Sequence, residues 1–132
     1  MTEGKLAIPT ADEWRLAAGR AEHPGAVYPS TGAFLDGSDL ASRLAERERG
    51  GAAWGFDRNK MTVEPTRYAP GAFGLYHMAG NAWEIVQDSD GQWDLLGGCC
   101  SSPKEECRLD GAPVRWSTRL RGMVGFRLVW RP

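Results

Sequence analysis

The first clear element in the apolar pattern begins at Thr10. Trp14, Ala17, Ala18 and Ala21 recur at i, i+3, i+4 and i+7, which is one face of a helix. Thr10-Ala11-Asp12-Glu13 reads as a capping box, in which the Thr10 hydroxyl takes the Glu13 amide proton and Glu13 reaches back. Pro9 helps set the entry, Gly19 weakens the end and His23-Pro24-Gly25 stops it. This helix reads as scaffold. Pro24, Gly25, Pro29, Gly32 and Gly37 then mark a loop. A second helix is predicted over Ser38 to Arg49. Ser38 caps it, Leu40 and Leu44 share a face, and Arg43, Glu46, Arg47, Glu48 and Arg49 form a solvated charged end before Gly50-Gly51. From Ala52 to Gly98 the chain alternates turns with the aromatics Trp54, Phe56, Tyr68, Phe73, Tyr76, Trp83 and Trp93. Short strands are expected at Glu84–Gln87 and Trp93–Leu96. Val124–Trp130 is the best strand candidate, with Arg127 interrupting its apolar residues.

Composition narrows the picture. A chain of 132 residues allows one domain, taken as 1–132. At 42% hydrophobic and 25% charged it is ordinary globular material. The count of 17 glycines implies many turns, and 6 tryptophans supply anchors for a core among loops. A net charge of −1 removes the strongest argument for a nucleic-acid partner. No apolar run approaches the ~18 residues that cross a bilayer. Met1-Thr2-Glu3-Gly4-Lys5 does not open a signal peptide. The compartment stays open.

The 3 cysteines, Cys99, Cys100 and Cys107, fall close together. An odd count argues against a complete disulfide framework. A bond between the neighbours Cys99 and Cys100 would be strained, and Cys107 could pair with either. Structural zinc wants four ligands, and no His is near. Small buried or half-buried thiols are the plain alternative.

Three stretches carry a resemblance. Ile8-Pro9-Thr10-Ala11-Asp12-Glu13-Trp14 is one. Ala72-Phe73-Gly74-Leu75-Tyr76-His77-Met78-Ala79-Gly80-Asn81-Ala82-Trp83-Glu84 is the second. Gly97-Gly98 followed by Gly125-Phe126-Arg127-Leu128 is the third. Together they resemble the formylglycine-generating enzymes, or sulfatase-modifying factors. The resemblance implies an α+β, C-type-lectin-like fold in a minimal version. One or two helices would pack on a small twisted antiparallel sheet with long loops. It covers the later half of a full-length enzyme, so the chain is a fragment or a minimal form.

The resemblance also implies candidate chemistry. The family's enzymes hold copper(I) on two cysteines, four and nine positions after the double glycine. Here those positions hold Ser102 and Cys107. A hydroxyl is a hard ligand and does not replace a thiolate. An enzyme would need Cys107 with Cys99 or Cys100, and copper is not expected. The related iron-dependent branch needs a His-rich set, and this chain has only His23 and His77. The family commonly binds calcium near the middle signature, which singles out Asn81 and Glu84, with Asp88 and Asp90 close by. The bland alternative makes Asn81 a turn residue with left-handed backbone and Glu84 a salt-bridge partner. Ile85 stands where the family has a second Trp.

Residues 99–124 mix every residue class between two family landmarks. That layout resembles the variable proteins of diversity-generating retroelements, which display a diversified C-terminal segment for ligand binding. Cys99-Cys100 and Leu109-Asp110 depart from that branch's pattern. The expected function is therefore binding of a protein or cell-surface ligand, without catalysis. The candidate contacts are Cys99, Cys100, Ser102, Lys104, Glu106, Arg108, Asp110, Arg115, Trp116, Arg119 and Arg121. Trp116 and the arginines lead, because Trp and Arg dominate binding hot spots. Core packing for Trp116 and a solvated rim for the arginines are the alternatives. The rival functions are a copper oxidase of the family type, a viral or structural attachment subunit, and an excised fragment. Oligomerisation is left open.

Overall fold

The computed structural model describes residues 3–29, 65–66, 70–100, 102, 104–117 and 124–132. The predicted helix at 38–49 lies outside these residues, as do Trp54, Phe56 and Tyr68.

Helix α1 (Ala11–Arg15) starts as its capping box predicts, with the Glu13 amide donating to Thr10 Oγ1 at 3.2 Å. It is shorter than the apolar period suggests. Leu16–Arg20 form one wide turn, closed by the Ala21 amide on the Leu16 carbonyl at 3.1 Å. Gly19 sits at φ 145°, outside right-handed helical space, so the regular turns stop early. The predicted face is still used: Trp14 and Ala18 are buried.

Among the described residues there are six strands: β1 (Lys5–Ala7), β2 (Trp83–Gln87), β3 (Trp93–Leu96), β4 (Val114–Arg115), β5 (Val124–Gly125) and β6 (Val129–Arg131). They form a pair, β1-β6, and a four-stranded sheet in the order β4-β3-β2-β5. The β2–β3 hairpin is antiparallel, with Glu84 opposite Leu96 and Gln87 opposite Trp93. Strand β5 joins β2 in parallel, so the larger sheet is mixed, not purely antiparallel as expected. The expected single strand over 124–130 is two short strands in different sheets. The break falls at Arg127, which turns inward to reach Glu84 and the Tyr76 carbonyl.

The hairpin is covered on both faces. On one side Trp14, Ala18, Met78, Val86, Leu96 and Leu109 cluster. On the other, Trp83, Leu95 and Cys99 pack with Ile85 and Val124 against them. The strand period of two produces this split, because successive side chains of β2 and β3 point to opposite faces. Burying Trp14 removes on the order of 200 Å² from water, worth roughly 4–5 kcal/mol before ordering costs. Its indole Nε1 donates to Glu84 Oε2 at 2.6 Å, so the polar edge of the ring is also satisfied. Arg131 of β6 pairs with Glu13 at 2.9 Å and fastens the two-stranded pair to α1.

Candidate functional site

The hairpin turn after β2 is held by one carboxylate. Asp88 Oδ1 accepts from the amides of Asp90 at 2.9 Å and Gln92 at 2.8 Å. The Gln92 amide is the main reason the Asp88 carboxyl lies below its ordinary value, with the Asp90 amide and Arg115 adding to it. Asp94 on β3 stands opposite Arg115 on β4, and the two are joined at 2.9 Å. Arg115 also reaches Asp88 at 3.1 Å. The guanidinium is thus held in place by two carboxylates from the adjoining hairpin.

Beside this pair the Trp116 amide donates to the Trp93 carbonyl at 3.2 Å, extending the β3–β4 register by one residue. Both indoles face water: Trp93 is 48% exposed and Trp116 37%. With Gly91, Gln92 and Arg115 they line a groove of about 280 Å³. Two exposed indoles at the end of the sheet, with an oriented guanidinium on the neighbouring residue, offer flat apolar faces and a directional cation, which suits recognition of another surface. Trp116 is therefore an exposed residue, not a core one. Trp93 is a groove residue that the sequence reading does not single out. Its signal was present: it shares a strand face with Leu95 by alternation, but stands at the hairpin end, where the sheet's cover runs out.

The loop after β3 behaves differently. The Gly80 amide donates to the Gly97 carbonyl at 2.7 Å, and the Cys100 amide to the Asn81 carbonyl at 3.0 Å. These bonds clamp the middle signature to the double glycine. Asn81 has φ 65°, the left-handed turn expected of it. Gly98 has φ 71°, and a Cβ there would stand 2.6 Å from Cys107 Sγ and 3.3 Å from Ser102 Cβ. Cys107 and Ser102 thus press on one bare Cα. Cys99, Cys100, Ser102 and Cys107 are all buried, and no disulfide joins the three thiols. Cys99, Cys100 and Ser102 were expected among the surface contacts. That expectation is corrected: their side chains face inward, where a ligand does not reach them.

Further along, Lys104 opens a tight helical turn over Lys104–Cys107, and Glu106 is exposed. Leu109 is fully buried, its amide donating to the Val27 carbonyl at 2.7 Å. Arg108 and Asp110 flank it and grip each other through two bonds of 2.8 Å. The Arg108 guanidinium holds the Asp110 carboxyl down to about 2, and the same bond pushes Arg108 up. Arg108 also lies over the Tyr28 ring, 5.9 Å from its centroid. Arg119 and Arg121 lie outside the described residues.

The metals implied by the sequence meet a poor fit. Glu84 is buried, and its carboxylate is taken by Arg127, through Nε at 2.6 Å and through a second bond from the other guanidinium nitrogen, and by the Trp14 indole. A guanidinium already on both oxygens opposes a calcium ion at the same place. Glu84 is the ion-pair partner of the bland alternative. The two-thiolate copper arrangement also fails on its donors. The position four after the double glycine holds Ser102, whose hydroxyl accepts from the Cys99 amide at 2.9 Å and faces Cys99 Sγ at 3.3 Å. Among the described residues no three His, Cys, Asp or Glu side chains gather as metal ligands. No helix among them is long and apolar enough to cross a membrane.

Comparison with known proteins places this geometry. Treponema denticola variable protein 1, a solved structure, superposes with a TM-score of 0.61 over 96% of this chain at 24% identity. The chain spans about half of that relative, 48% of its length. Curated protein sequences contain no significant match. Residues 2–132 match the profile of the sulfatase-modifying factor enzyme 1-like domain. The fold is C-type-lectin-like, and the chain belongs to the sulfatase-modifying factor family.

Proposed function

We propose that the chain is a non-catalytic ligand-binding domain that displays a variable C-terminal surface on a rigid scaffold. The observation that carries this reading is the groove lined by Trp93, Arg115 and Trp116, two exposed indoles and a residue whose guanidinium is held by Asp88 and Asp94. A contact surface fixed before binding loses less freedom on association. The solved relative's name, variable protein 1, supports the variable part of this reading. The ligand is a protein or cell-surface molecule. Ser102 at the position of a second thiolate supports binding over copper oxidation.

Deep sequencing of the coding segment across a natural population tests this. Substitutions should concentrate at Glu105, Glu106, Arg108, Asp110 and Val114–Ser117, whose side chains reach the surface. Cys99, Cys100, Cys107 and Leu109 should stay constant, because they are buried. Variation spread evenly over buried and exposed positions, or none within 99–124, would sink the variable-surface reading.

A further inference from the structure

The groove draws on two parts of the chain. Trp93, with Gly91 and Gln92 beside it, comes from the β2–β3 hairpin, and Arg115 and Trp116 come from the segment 99–124. The hairpin also supplies negative charge. Asp88 and Asp94 meet Arg115 at 3.1 and 2.9 Å. Asp90, next to Gly91 of the lining, is exposed in the hairpin turn, and its amide donates to Asp88. The Asp88 carboxyl lies below its ordinary value, so it is ionised at neutral pH. Three carboxylates thus stand against one guanidinium, an excess of negative charge beside the indoles. That guanidinium is already engaged: Nε is on Asp94, and a terminal nitrogen is on Asp88. A carboxylate arriving there competes with two that are already seated, and it enters a negative field.

We propose that the groove takes a basic side chain, lysine or arginine, from a partner protein. This rests on the reading of the groove as a binding surface and names its occupant. An indole face attracts a cation through the negative side of its ring quadrupole, and tryptophan does so best among the aromatic residues. Trp93 is 48% exposed and Trp116 37%, so both offer ring surface to water. The long stem of a lysine or arginine is apolar and suits the indoles, while its charged end suits the carboxylates. Size agrees. The groove, at about 280 Å³, lies just under the range of pockets that enclose a drug-sized ligand, which leaves room for one long side chain. An acidic partner meets the excess of like charge, and an apolar one desolvates the carboxylates without giving them a partner. The division between the two parts also sets what changes. Asp88, Asp90, Trp93 and Asp94 lie outside residues 99–124, so substitution at 114–117 alters the grip while the hairpin keeps the preference for a cation.

Panning a displayed library of random peptides on the full chain at low salt tests this, with Trp116→Ala panned in parallel and far-UV circular dichroism checking each fold. Sequences recovered by the wild-type chain and lost on Trp116→Ala should be rich in Lys and Arg. In such a peptide, exchanging the shared basic residue for norleucine keeps the stem and removes the charge, and binding should weaken about tenfold. Asp90→Lys should weaken the same peptide about threefold, because it reverses a charge beside the groove. The norleucine comparison uses the unaltered chain, so it decides even where a variant misfolds. Groove-dependent peptides that are acidic or apolar would overturn the proposal and leave the binding reading standing. So would a norleucine peptide, or a folded Asp90→Lys chain, that binds as well as the original. Recovery of no peptide that depends on Trp116 would sink both.

Discussion

The stretch from Gly97 to Leu109 and the stretch from Val114 to Ser117 look alike in sequence, and the fold treats them oppositely. The first buries Cys99, Cys100, Ser102, Cys107 and Leu109 against the hairpin and α1. The second places Val114, Arg115 and Trp116 at the surface, and the last two line a groove. Both mix apolar, charged and small residues, and neither has a clean period. The difference comes from what each crosses. The first is drawn under the middle signature by the Gly80–Gly97 and Cys100–Asn81 bonds. Among the described residues the second is an edge strand, paired to β3. A segment assigned to binding by composition is thus half core, and the two halves should answer mutation in different ways.

The sharpest contrast is Leu109→Ala. Leu109 is fully buried beside Trp14 and Ala18, and truncating a leucine at such a site costs about 3 kcal/mol through lost burial and the cavity left behind. Urea unfolding should show a lower midpoint with an unchanged slope. A change below about 1 kcal/mol would mean that this stretch is a surface loop after all. The same contrast predicts that the three thiols stay slow toward an aromatic disulfide reagent in the native protein and all react on unfolding.

Arg127→Met comes next. It leaves Glu84 buried with only the Trp14 indole against its carboxylate. Stranding a buried charge costs about 3–5 kcal/mol, and the partial exposure of Arg127 lowers this to roughly 2–3 kcal/mol. The double variant Arg127→Met with Glu84→Gln should recover part of the loss. If the double variant is no more stable than Arg127→Met alone, the pair is not what joins the C-terminal arm to the hairpin.

How far the sequence reveals this arrangement depends on the range of the forces involved. The Thr10–Glu13 cap and the strands at Glu84–Gln87 and Trp93–Leu96 are legible, because their causes lie within a few residues. The motif stretches reveal the fold by resemblance, and in this chain two of them meet at the clamp between Asn81 and Cys100. The early end of α1 is less legible, because Gly19 weakens a helix in any context but breaks this one only at its observed φ. The split of the final strand is not legible. Arg127 reads as an interruption until Glu84, 43 positions away, gives it a reason to face inward. Burial of Cys99, Cys100 and Ser102 is hidden for the same reason: small side chains suit a surface or a tight core equally, and long-range contacts decide.

Trp116→Ala isolates the exposed half. An exposed indole contributes little to folding, so stability should change by less than about 1 kcal/mol. Affinity for a ligand captured by the wild-type groove should fall at least about tenfold, as for a hot-spot tryptophan. Calorimetric unfolding and surface plasmon resonance on one preparation separate the two effects. A large loss of stability with the groove geometry gone would return Trp116 to the core.

The smallest expected effect is that of acid, and it distinguishes the halves once more. Asp110 has a carboxyl held at about 2 by Arg108, below its ordinary 3.8. A group with a depressed folded-state value adds stability that is complete above the unfolded value and lost as pH falls through the folded one. The Arg108–Asp110 contribution is therefore present above about pH 4 and disappears toward pH 2. Asp88 is lowered in the same direction, chiefly by the Gln92 amide, so its protonation loosens the hairpin turn beside the groove. Both side chains meet solvent, which keeps the loss small. Carboxyl carbon shifts in an acid NMR titration should show both groups titrating below their ordinary value. Asp110→Asn should flatten only the part of the acid response that belongs to the Leu109 loop, and Arg115→Met should raise the Asp88 midpoint while leaving Asp110 untouched. An Asp110 midpoint that stays near 2 after Arg108→Met would show that the loop backbone, not the guanidinium, holds the carboxylate ionised.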